Sequence, residues 1–127
     1  TLEYDGQPVS AERAIQLVGY RPSTVQPPPD GFKLDTLYVL DMPCCKCVEA
    51  FWRRNDESCV AIFEHNTEPE EWFQDHPSIR IPCAGKSCRV IEIGDQLAAS
   101  WRRGRRTITV IGLRDVEELS KLVSTLT

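Results

Sequence analysis

Hydrophobic residues recur with helical spacing at both ends of the chain. Near the N-terminus this spacing predicts a helix from Ser10 to Val18, which the Ser10 hydroxyl caps and Gly19 ends. Near the C-terminus it predicts a second helix from about Asp115 to Leu126, with Asp115 as the cap. The two predicted apolar stripes are Ala11, Ala14, Ile15 and Val18 in the first helix, and Val116, Leu119, Leu122, Val123 and Leu126 in the second.

Between these helices, apolar and polar residues alternate with the period of two that is typical of β-strands. The predicted strands span residues 32–40, 48–53, 58–65, 89–93, 96–102 and 106–111. A short acidic helix is predicted from Thr67 to about His76, and residues 82–88 are predicted to form a tight loop. Because neighbouring strands are joined by short connections, we expect an antiparallel sheet. The predicted fold class is α+β, with about five to six strands and both terminal helices packed on one face.

The length and charge of the chain limit its organisation and its partners. Its 127 residues fit a single domain spanning 1–127, with a core from about 10 to 126. A net charge of −4 argues against a nucleic-acid partner, and no apolar run reaches the roughly 20 residues that cross a bilayer. The chain begins at Thr1 and its only methionine is Met42. We therefore expect a fragment or a processed form that meets a membrane only through an anchor outside this segment.

Six cysteines are the unusual part of the composition. Two predicted loops each carry a pair of thiols with the spacing of metal ligands, Cys44-x2-Cys47 and Cys83-x4-Cys88. Four thiolates suit tetrahedral zinc, although the second spacing is wider than is usual. In this interpretation zinc is the cofactor; otherwise we expect none.

Disulfide bonds are the competing interpretation, since an even number of cysteines allows up to three bridges in an oxidising compartment. Cys83 and Cys88 can close across residues 84–87, whereas the adjacent Cys44 and Cys45 bond more easily to different partners. Cys59 lies within a predicted strand. The sequence leaves the metal and the disulfide interpretations open, with free thiols as a third, and it leaves the pairing of the cysteines open as well.

Charged residues and histidines suggest surfaces rather than catalysis. A basic turn around Gly104 is either a solvated turn or an anion-binding tip, and an acidic patch around Trp72 and Phe73 is either a solvated helix or a docking surface for a basic partner. The basic residues are Arg102, Arg103, Arg105 and Arg106, and the acidic ones are Glu64, Glu68, Glu70, Glu71 and Asp75. His65 and His76 lack metalloprotease spacing, and the sequence has no nucleophile elbow. We therefore expect no catalytic residues and no enzymatic activity.

Segments from the two ends, read together, resemble a known family. AIQLVGY at 14–20 is followed by a proline-rich stretch and by PDGFKL at 29–34. Near the C-terminus, LAASW at 97–101 precedes the basic turn, TITVIG at 107–112 and VEEL at 116–119. This pattern is similar to the small extracytoplasmic α+β domain of anti-sigma factors and related membrane-anchored regulators, including MucB/RseB-type modules. In that family, a helix is followed by proline, glycine and an aromatic residue, which lead into a curved sheet. A strand pair and a helix then end the domain.

The resemblance implies a non-enzymatic sensor or regulatory domain that is extracytoplasmic, periplasmic or exported, and binds a protein partner or an envelope signal. The family offers no catalytic residues to carry over, and the oligomeric state stays open. The chain departs from the family in its cysteines, which would staple two loops. The alternative expectation is a zinc-binding or thiol-redox module built on Cys44, Cys47, Cys83 and Cys88.

Overall fold

A computed structural model describes residues 3–4, 8–41, 46–66 and 76–126, with 3–4 described in their backbone alone. Both terminal helices form as predicted: α1 spans Ala11–Val18 and α2 spans Val116–Thr125. Ser10 caps α1 by accepting a hydrogen bond from the backbone N–H of Arg13 at 3.1 Å, and Asp115 caps α2 in the same way. A 3₁₀ turn at Ser23–Val25 follows α1. The short helix predicted from Thr67 falls at 67–75, outside the described residues.

The strands form one antiparallel sheet in the order β1-β2-β3-β4-β8-β7-β6-β5. Two runs of neighbouring strands, β2–β4 and β5–β8, meet where β4 pairs with β8. The strands are β1 (Glu3–Tyr4), β2 (Phe32–Asp41), β3 (Lys46–Arg54), β4 (Cys59–His65), β5 (Ile79–Cys83), β6 (Lys86–Ile93), β7 (Gln96–Arg103) and β8 (Arg106–Leu113).

The α+β class is confirmed, but the predicted number of about five to six strands is too low. Seven strands have five or more residues, and β1 adds a short eighth one at the edge. Of the seven longer strands, the sequence did not predict β5, because Pro82 lies within it. Proline cannot donate to a β-ladder, but it is tolerated on an edge strand, and β5 is the last strand of the sheet.

One face of the sheet carries the main core and both helices. Its residues alternate along the strands, as in Val48, Ala50 and Trp52 of β3, and all three are fully buried. Ala14 of α1 joins the same cluster, as do four residues of the predicted C-terminal stripe: Leu119, Leu122, Val123 and Leu126. The fifth residue of that stripe, Val116, is instead 46% exposed. We call this the helix face. Burying it against two amphipathic helices is the layer arrangement that the sequence predicts.

The opposite face is also buried, but around smaller clusters. Leu40, Cys47 and Phe63 form one cluster, and Ile91 and Ala98 form another. We call this the second face. The two clusters meet at Ile111, and the same face carries a row of buried polar side chains: His65, Ser100, Thr107 and Thr109.

A bulge in β8 connects the sheet to α2. Gly112 has a φ of +100°, and a Cβ placed on it would lie 3.1 Å from the backbone oxygen of Cys59. The Gly112 carbonyl accepts a 2.7 Å hydrogen bond from Arg54, whose guanidinium also forms a two-point ion pair with Glu118 of α2. The bulge therefore lets a buried arginine join β3, β8 and α2.

Candidate functional site

The β5–β6 hairpin brings together one of the cysteine pairs singled out by the sequence. Ala84 and Gly85 form its turn with φ values of +49° and +82°, as a type I′ turn requires. Cys83 and Lys86 are directly paired on either side of this turn. An alanine at a positive φ is uncommon, so the sequence predicted a loop where the structure has a tight hairpin.

Cys83 and Cys88 are buried neighbours on one hairpin. Cys88 lies two residues beyond Lys86, so it shares a face of the hairpin with Cys83 and lies diagonal to it. The two residues are 3% and 0% exposed, and both are free cysteines. Burial, with a smaller contribution from Cys83, raises the pKa of Cys88 to about 12. Cys88 is therefore a protonated thiol at neutral pH and a poor nucleophile.

The structure does not bring Cys47 to this pair. Cys47 begins β3 on the second face, where it is buried and donates to its neighbour's carbonyl oxygen, whereas Cys83 and Cys88 lie on the helix face. In the sheet order, β3 lies four strands from β6, which is about 19 Å at the usual strand spacing. Ligands of one zinc ion lie about 2.3 Å from it. Cys47 therefore does not join Cys83 and Cys88 in a tetrahedral site.

The remaining cysteines lie elsewhere. Cys59 is half-buried at the start of β4, and Cys44 and Cys45 fall outside the described residues. Within the described ranges, no group of three or more His, Cys, Asp or Glu side chains is placed to hold a metal ion. Of the predicted set of four zinc ligands, only Cys83 and Cys88 are brought together there.

A cavity of about 470 Å³ lies beside the cysteine hairpin. Its wall is mostly aliphatic, and two of its side chains, Ile79 and Val116, are 64% and 46% exposed. Ile81 links the cavity to the thiols, since it lines the cavity and pairs with Cys88. The lining residues are Pro77, Ser78, Ile79, Ile81, Val90, Ile91, Glu92, Leu97 and Val116. The sequence did not predict this cavity, because its wall joins β5, β6, β7 and the start of α2, which lie far apart along the chain.

The basic turn between β7 and β8 makes structural contacts. Arg103 donates to the carboxylate of Glu64 at 3.2 Å, and the Arg106 guanidinium lies 3.3 Å from the ring centroid of Tyr20. Glu64 is fully buried, and its other oxygen accepts two 2.8 Å hydrogen bonds from Ser23. These contacts fasten the segment after α1 to the sheet. The other members of the predicted acidic patch, Glu68, Glu70, Glu71 and Asp75, lie outside the described residues.

The two histidines have different surroundings. His65 is buried on the second face, with its Nε2 atom 2.9 Å from Thr109 Oγ1, which lies 2.7 Å from Ser100 Oγ. His76 is exposed. Neither described helix is long and apolar enough to cross a bilayer.

Comparison of the chain with protein-family models, with curated proteins and with solved structures gives no match.

Proposed function

We propose that this chain is a non-enzymatic sensor or regulatory domain of an extracytoplasmic, anti-sigma-type regulator, in which Cys83 and Cys88 form a reversible disulfide. The observation that carries the proposal is the diagonal placement of two buried cysteines on one hairpin. A protein partner or an envelope signal would be recognised by the same domain. The placement favours this function because a disulfide can form there without bringing distant elements together.

The proposed reaction is thiol–disulfide exchange with a small-molecule disulfide, for which oxidised glutathione serves as the probe. Because the pKa of Cys88 is raised to about 12, we assign the first attack to the thiolate of Cys83. This attack gives a mixed disulfide and releases one reduced glutathione. Cys88 then attacks the mixed disulfide, so that the second glutathione leaves as a thiol and the Cys83–Cys88 bond forms. Two thiol protons and two electrons are transferred in total.

The diagonal placement of the thiols favours a reversible bond over a permanent one. Diagonal neighbours in an antiparallel pair have Cα atoms about 7–8 Å apart, whereas disulfides usually join Cα atoms about 4.4–6.8 Å apart. Closing the bond therefore pulls the two strands together near the turn. The closed loop is short, so its entropic stabilisation is only about 2 kcal/mol. Strained disulfides with little stabilisation are easily reduced and are the regulatory ones.

Equilibration in glutathione buffers of graded potential tests the proposal. At each potential the free thiols are trapped, and the masses of the peptides give the oxidised fraction. We expect a two-electron transition with a midpoint less negative than about −300 mV. Cys83→Ser removes the transition. Cys59→Ser is the matched control and leaves it unchanged, since Cys59 lies on β4 away from the pair. Recovery of both thiols free in the most oxidising buffer would exclude the disulfide, and a midpoint more negative than about −300 mV would make it a permanent staple.

The second candidate function is a zinc-binding module, and the same placement of two soft ligands on one hairpin favours it. It needs two further ligands, since zinc in structural sites is four-coordinate. This function predicts about one zinc ion per chain, lost in Cys88→Ser. Native protein without stoichiometric zinc would exclude the zinc-binding function and leave the reversible disulfide.

A further inference from the structure

The cavity between β5, β6, β7 and the start of α2 has the size and the wall of a small-molecule site. Its volume of about 470 Å³ lies within the range of roughly 300–1,000 Å³ of ligand pockets. Val90 and Ile91 form a buried part of its wall, at 5% and 2% exposure. Ile79 and Val116 stay exposed at 64% and 46%. An occupant would remove apolar surface from water on both sides of the contact.

One charged group in the wall restricts the chemistry of the occupant. Glu92 is the only charged residue among those lining the cavity, and its carboxylate accepts hydrogen bonds. A hydroxyl group can donate to this carboxylate, whereas a carboxylate head group cannot donate and would be repelled by its charge. The Ser78 hydroxyl takes no part, because its oxygen accepts a 2.7 Å hydrogen bond from Arg89, whose side chain lies on the second face with that of Ile91.

The edge of β5 argues against an added strand as the occupant. Residues that flank a two-residue turn exchange hydrogen bonds with each other, so Cys83 points its backbone groups toward β6. The alternation then points the backbone groups of Pro82 and Arg80 outward. Pro82 has no N–H to donate, and the charged Arg80 side chain is exposed at the same edge. Proline and charge are the devices by which edge strands avoid pairing with another strand.

We infer that this cavity binds the aliphatic chain of a neutral amphiphile with a hydroxyl head group. The chain would lie against Ile79, Val90 and Val116, and the hydroxyl would donate to the carboxylate of Glu92. This site is separate from the proposed disulfide and does not depend on it, since no cysteine lines the cavity.

An NMR titration of the reduced protein with 1-octanol tests this inference. We expect saturable shifts of the methyl groups of Ile79, Val90 and Val116, with a dissociation constant of about 1 mM or below. Ile79→Ser is expected to weaken binding about tenfold, because it removes one branched aliphatic side chain from the contact. Ile79 is largely exposed, so the variant should fold, and its methyl spectrum verifies this.

Ile93→Ser is the matched control. Ile93 is an aliphatic residue of β6 with 43% exposure, and it does not line the cavity. We expect this variant to bind 1-octanol like the unaltered chain. Non-saturable shifts, shifts centred elsewhere, or equal weakening by the two variants would overturn the inference.

Discussion

Gly112 shows how one residue determines whether three elements meet. Its φ of +100° lies where side chains are strained, and the backbone oxygen of Cys59 leaves a Cβ too little room. The bulge at this glycine also directs its carbonyl to Arg54. The main role of Gly112 is thus to keep the backbone of β8 close to the start of β4.

Gly112→Ala tests this role. We expect it to lower the free energy of unfolding by about 3 kcal/mol, because backbone strain and a 3.1 Å contact add together. Gly94→Ala is the control, since Gly94 has a φ of +62° and nothing within 4 Å of the added Cβ. It should cost about 1 kcal/mol from strain alone. Urea unfolding measures both, and equal losses would refute the close approach at Gly112.

At the residue scale, the sequence predicted contacts between near neighbours and missed distant ones. The proximity of Cys83 and Cys88 was foreseen as one alternative, because only four residues separate them. The burial of Glu64 was not foreseen, because its partners Ser23 and Arg103 lie 41 and 39 residues away along the chain. The one sign of this burial in the sequence was a carboxylate within the largely apolar strand β4.

At the scale of elements, α1 and α2 were predictable because capping residues and helical spacing are local. β5 could not be predicted in this way. It tolerates Pro82 because it lies at the edge of the sheet, and that position depends on the order of the strands. The same limit applies to the cavity, since four elements form its wall. The sequence therefore predicted the pair of cysteines in the candidate site, but it did not predict the cavity beside them.

The ion pair between Arg54 of β3 and Glu118 of α2 links an element of the sheet to a helix. Burial alone would raise the pKa of Glu118, but hydrogen bonds from Arg54 and from the Arg114 backbone, together with their charges, outweigh it and lower the pKa below 4.5. A carboxyl whose folded pKa is below its unfolded value stabilises the fold above the unfolded value. That stabilisation is lost as the pH falls below about 4.5 and through the folded pKa.

Glu118→Gln should reduce stability at pH 7 by about 3 kcal/mol, because it leaves the guanidinium of Arg54 buried without its counter-charge. The loss should shrink as the pH falls below about 4.5, where the unaltered carboxyl also becomes neutral. Glu117→Gln is the matched control, since Glu117 lies exposed in the same helical turn. Urea unfolding across pH 3–7 measures the difference. A loss for Glu118→Gln that does not depend on pH would contradict the ion pair.

At the scale of the whole molecule, the candidate site lies at one end of a sheet whose helix face is otherwise covered. The hairpin of β5 and β6 is the outermost part, and it carries both the thiol pair and part of the cavity wall. An edge hairpin can open without disturbing the central strands, which is what exchange at two buried thiols requires. The central claim is that Cys83 and Cys88 are joined when this domain is in an oxidising compartment.

Peptide mapping without reductant tests that claim most directly. The protein is expressed once with a periplasmic signal and once in the cytosol, its free thiols are alkylated, and it is digested with trypsin. Cleavage after Lys86 separates residues 81–86 from residues 87–89, so these peptides stay together only through a Cys83–Cys88 bond. The account predicts the linked pair from the periplasmic protein and two alkylated peptides from the cytosolic one. Two alkylated peptides from both compartments would contradict it.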